Sequence, residues 1–62
     1  MSGHTAPRSV TLVVRWYNPR ALVQSGLTRH YPSVEQAEQE MARFTGDLHQ
    51  RGMTITLADV VE

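Results

Sequence analysis

The sequence predicts an α+β two-layer sandwich of order β-β-α-β. One helix packs on one face of a three-stranded sheet whose strand order is 2-1-3. Three observations carry this. Residues 9–17 alternate apolar and polar with the two-residue period of a strand, and residues 53–61 return to that pattern. Between them, residues 33–52 hold a helical apolar stripe with a recognisable signal at each end.

The first strand runs from Ser9 to Tyr17, with Val10, Leu12, Val14 and Trp16 on one side and Thr11, Val13, Arg15 and Tyr17 on the other. An unpaired guanidinium is costly to bury, so the side without arginine is expected to face the core. Asn18-Pro19 then stops the strand with turn chemistry: proline presets φ, and asparagine bonds the backbone that follows. Residues 19–25 allow two readings. One is a short helix capped by Asn18 and closed by Gly26. The other is a hairpin that turns through Pro19 and Arg20 into a long second strand, with a bulge at Gly26. So short a helix has little intrinsic stability, which favours the hairpin.

Leu27 to Tyr31 completes the second strand under either reading, and Pro32 ends it. Ser33 is an N-cap, with Gln36 in the capping-box position and Glu35 in the first turn. The helix is predicted from Val34 to about Arg51, with Gly52 as its terminator. Its apolar face is Val34, Ala37, Met41, Phe44 and Leu48, a narrow stripe suited to lying on a sheet. Asp47 and Arg51 are spaced as an i,i+4 ion pair. Gly46 marks either a close approach to the sheet or an ordinary surface position. The third strand follows as Met53 to Val61, with Met53, Ile55 and Leu57 expected inward and Thr54, Thr56 and Ala58 outward. A right-handed crossover through the helix returns it beside the first strand, the most apolar of the three. Trp16 and Phe44 are expected to be the largest buried residues and to meet between the layers.

A chain of 62 residues makes a single domain over residues 9–62, after a flexible arm at residues 1–8. Domains of this size bury only about 60% of the surface their unfolded chain exposes. With no cysteine there is no disulfide or thiolate metal site to add stability, so a homodimer is expected. The net charge is zero but unevenly spread. Residues 1–31 hold Arg8, Arg15, Arg20 and Arg29 and no acid. Residues 32–62 hold Arg43 and Arg51 against Glu35, Glu38, Glu40, Asp47, Asp59 and Glu62. No apolar run has the length of a membrane span, and no signal peptide is evident, so a cytoplasmic protein without membrane partners is expected.

The residues that carry chemistry are scattered. His4, His30 and His49 have no metal-ligand spacing. Ser33 is accounted for as a cap, and Ser25 has no nucleophile-elbow context. Glu35, Glu38 and Glu40 form a solvated helix face, unsuited to acid–base work. No catalytic residue, metal or cofactor is therefore expected.

One constellation remains, the side of the hairpin turned away from the helix. If Arg29 stays out of the core, alternation sends Leu27 and Tyr31 outward with it, beside Val13, Arg15 and Tyr17, with Arg20 at the turn tip. Tyrosine and arginine among apolar neighbours are the composition of an interface core. The expected function is that of a non-enzymatic protein-binding module, an adaptor or inhibitor of the compact kind that phages and other mobile elements carry. A nucleic-acid-binding hairpin is the alternative, since arginines interleaved with aromatics stack on bases and pair with phosphates. Neutral charge and an acidic helix oppose it. A homodimeric structural protein is the third reading.

Overall fold

The most apolar strand takes the centre of the sheet. In a computed structural model, which describes residues 9–62, β1 (Val10–Asn18) lies between β2 (Val23–Tyr31) and β3 (Thr54–Val61), antiparallel to both. The arm expected over residues 1–8 lies outside the described residues. The helix α1 (Val34–Gln50) packs on one face, giving the expected α+β sandwich with strand order β2-β1-β3.

Residues 19–22 form the hairpin turn, so the short-helix reading is excluded. Asn18 Oδ1 accepts from the backbone N–H of Arg20 at 3.0 Å and of Ala21 at 3.3 Å, the local bonding that asparagine brings to a turn. The turn closes through Leu22 at φ 56°, a left-handed conformation costing a non-glycine residue about 1–2 kcal/mol.

The helix ends as its sequence signals specify. Ser33 Oγ accepts from the Gln36 N–H at 3.2 Å, and Gly52 takes the left-handed conformation (φ 81°) just past the C-cap Arg51. The Arg51–Asp47 pair forms at 3.3 Å, and a second pair joins Arg43 to Glu40 at 3.7 Å. Both are exposed and contribute little stability. A Cβ on Gly46 would meet nothing within 4 Å, so this glycine does not serve a close approach to the sheet.

The core is small. Val10, Leu12 and Val14 of β1 are buried with Ala37 and Leu48 of α1, and Trp16, Leu27, Tyr31, Met41, Phe44, Met53, Ile55 and Val60 pack around it, partly buried. Trp16 and Phe44 do meet, edge to face, with ring centroids 5.3 Å apart. They are not the most buried residues, however. Both remain half-buried, and Leu12 and Val14 are the largest fully enclosed side chains.

Register decides which side chains share a face, and three sequence expectations change here. β2 pairs with β1 without interruption from Val10↔Tyr31 to Asn18↔Val23, so there is no bulge at Gly26. Directly opposed residues of an antiparallel pair lie on the same face. Tyr31, Arg29 and Leu27, opposite Val10, Leu12 and Val14, are thus on the helix side and not on the outer face. Leu27 and Tyr31 join the core, while Arg29 stays exposed because the helix sits over β1 and β3 and barely reaches β2. The irregularity lies instead in β3. Trp16 pairs with Ile55 but its neighbour Arg15 pairs with Leu57, which leaves Thr56 as the extra residue of a bulge. Ile55 stays inward, Leu57 turns outward at 43% exposure, and Val60 takes the inward place opposite Leu12.

Candidate functional site

With α1 covering one side, no other described element covers the second side of the sheet. Its side chains form a grid of four rows, each read across β2, β1 and β3. Nearest the turn is Gln24–Tyr17–Thr54. Next come Gly26–Arg15–Leu57, then Thr28–Val13–Asp59, then His30–Thr11–Val61. The middle column is the one whose alternation the sequence makes plain. Val13 and Tyr17 are half-buried by their neighbours and Arg15 is exposed.

The two flanking columns differ in chemistry. On the β2 side the residues are polar or absent: Gln24, Gly26, Thr28 and His30, with Thr11 Oγ1 3.1 Å from His30 Nδ1. Gly26 provides room there. A Cβ at this position would lie 3.3 Å from Arg15 Cγ and 3.2 Å from the Val14 carbonyl oxygen, so the stem of Arg15 leans across the bare glycine. A shallow open depression results, bordered by Arg15, Gln24 and Thr28. On the β3 side, Leu57 and Val61 are exposed at 43% and 53%, with Asp59 between them. Val13, Tyr17, Leu57 and Val61 therefore surround Arg15 and Asp59 on one face. Asp59 Oδ1 accepts the N–H of Val60 at 2.9 Å. Among the described residues the ion pairs both lie on the helix, so the Arg15 guanidinium is available to another molecule.

Of the seven residues predicted to bind a partner, Val13, Arg15 and Tyr17 are brought together on this face. Arg20 is exposed in the turn at the Tyr17 end, beside Leu22, which is 76% exposed. Leu27, Arg29 and Tyr31 belong to the opposite side of the sheet. Leu57 and Val61 are additions that sequence reading missed. The pattern gives no signal for them: Leu57 and Val61 continue the odd apolar positions of Met53 and Ile55, and only the register shift at Thr56 turns them outward.

A second depression lies along the solvent side of α1, lined by Glu40, Arg43, Phe44, Asp47 and Gln50. It is open, and its charges are already paired along the helix. No group of three or more histidines or carboxylates able to hold a metal occurs among the described residues. Among them, too, no helix is long and apolar enough to cross a membrane. No protein-family model, curated protein or solved structure matches the chain.

Proposed function

We propose that this chain is a non-enzymatic protein-binding module, an adaptor or inhibitor acting in the cytoplasm, whose contact surface is the open face of its sheet. One observation carries the reading: Val13, Tyr17 and Leu57 flank Arg15, which makes no ion pair among the described residues, and Val61 shares with them a face that no other described element covers. Tyrosine, arginine and aliphatic residues on a rigid strand supply the anchors that dominate interface energies, at little entropic cost. The hairpin turn supports it. It presents Arg20 and the exposed Leu22 beside the same surface, with Leu22 in a conformation that glycine or asparagine would adopt more cheaply.

Nucleic acid is the weaker reading. Arg15 and Arg29 lie on opposite sides of the sheet and form no single basic track, and Asp59 shares the face with Arg15.

The test begins with a photo-crosslinking residue at position 57, to recover whatever binds the open face. Affinity for the recovered protein is then measured with purified components. Tyr17→Ala is expected to weaken binding by about 2 kcal/mol, as loss of an interface anchor does, and Arg15→Glu by more, with both variants still folded by circular dichroism. Full-strength binding by both variants would sink the proposal. If nucleic acid is recovered instead, Arg15→Glu should lower the slope of log affinity against log salt by about one unit.

A further inference from the structure

We infer that β2 is a self-pairing edge, and that two copies of this chain join β2 to β2 about a twofold axis into a continuous six-stranded sheet. The inference concerns the edge of the sheet and stands apart from what the open face binds.

A three-stranded sheet has two free edges, each with alternate backbone N–H and C=O groups turned to solvent, and proteins usually protect such edges. Here the two are treated differently. β3 carries the Thr56 bulge, which breaks its regular spacing, and Asp59. β2 has nine residues in unbroken register, with no bulge, proline or lysine. Of the devices that block edge pairing, β2 has only Arg29, and the position of that charge suits self-pairing.

In an antiparallel twofold pairing, the register with the most pairs is centred on the middle residue of the strand, Leu27. It sets Leu27 against its own copy, Arg29 against Ser25, and Tyr31 against Val23 on the helix side. On the open side it sets Thr28 against Gly26 and His30 against Gln24. No charge meets a like charge. The two Arg29 side chains stand four residues apart along the strands, about 14 Å, which exceeds the roughly 8 Å screening length at physiological salt.

The off-centre helix supplies a second reason. Since α1 sits over β1 and β3, the helix-side residues of β2 lack cover: Val23 is 49% exposed, and Leu27 and Tyr31 are only half-buried. Self-pairing brings both copies of these three side chains together between two helices on the same side of the sheet, as a small core short of burial requires. The open faces also merge. A three-stranded face is about 14 Å wide, narrow against the roughly 800 Å² per partner of a standard interface, and six strands double it.

Sedimentation equilibrium on the full-length chain tests this. The wild type is expected to be a dimer. Ser25→Arg places arginine against Arg29 of the partner at two symmetric positions and should weaken dimerisation about tenfold. The double variant S25R/R29E turns the same two positions into ion pairs and should restore wild-type affinity or better. Val13→Asp, on the open face, should leave the dimer unchanged. A wild type that stays monomeric up to about 1 mM would overturn the inference. So would a dimer indifferent to Ser25→Arg, a swap that fails to restore it, or a dimer broken by Val13→Asp, which would place the seam on the open face. Circular dichroism and melting temperature of each variant confirm that the monomer fold is kept.

Discussion

β2 and β3 flank the same central strand and run in the same direction, yet they keep register with it in different ways. β2 matches β1 residue for residue over nine pairs. β3 matches it only by setting Thr56 aside. Each strand places apolar side chains against β1 on the helix side: Leu27 and Tyr31 from β2, Ile55 and Val60 from β3. Glycine is not what decides between the two. Gly26 sits in the regular strand, where it makes room for the Arg15 stem, and the bulge falls on a threonine. A bulge arises here because the apolar positions of β3 change parity between Ile55 and Val60, and one surplus residue lets both face the core.

The pairing of β2 has the least tolerance for a lost residue. Deleting Gly26 removes a residue from a strand that has none to spare. Either Leu27 and Tyr31 rotate out of the core, or the residues next to the turn, which lie outside it, change faces and the hairpin turn must re-form. Losing two partly buried side chains of that size should cost about 3 kcal/mol or more, much of what so small a domain has. A urea unfolding curve is expected to show little or no folded baseline. A wild-type midpoint would mean that the β2 register is not fixed as described.

A milder contrast separates the two leucines that the alternation puts on the wrong faces. Leu27→Ala should destabilise by about 2 kcal/mol, because Leu27 packs on the core. Leu57→Ala should stay within about 0.5 kcal/mol, because Leu57 points to solvent. Both belong at the lowest usable protein concentration, where self-association adds nothing to the Leu27 value. Equal costs would return Leu57 to the core and remove the bulge from the account.

Much of this fold was legible in the sequence. The β1 alternation, the Asn18-Pro19 turn, the Ser33 cap, the helix stripe and the Gly52 terminator follow from local chemistry that no distant residue overrides, and the 2-1-3 order follows from crossover handedness and the apolar first strand. The candidate face was legible only in its middle column. The β2 column turns on Arg29: keeping its charge out of a core places it, with Leu27 and Tyr31, on the outer face. In a sheet wider than its helix, a residue on the helix side of an edge strand can still reach water, and Arg29 does. The β3 column is not legible because Leu57 and Val61 keep the odd positions of Met53 and Ile55, while the Thr56 bulge turns them to the other face. Both errors concern position within the sheet, which two-residue periodicity does not encode.

Deletion of Thr56 should do to β3 what the Gly26 deletion cannot do to β2. Without Thr56, simple alternation from Ile55 gives Leu57 outward, Ala58 inward, Asp59 outward and Val60 inward, the faces these residues already occupy. The bulge is lost but no side chain changes side, so the cost should stay within about 1 kcal/mol and the open face should keep its Arg15–Leu57 row. The cost falls elsewhere. A β3 without its bulge is a second regular edge, and the deletion variant should associate further, beyond a dimer, as its concentration rises. Because that association uses β3, adding Ser25→Arg should reduce it without abolishing it. If the Thr56 deletion unfolds the domain as the Gly26 deletion is expected to, Thr56 is a paired member of the strand. If it folds but associates no further, the bulge is not what keeps that edge from pairing.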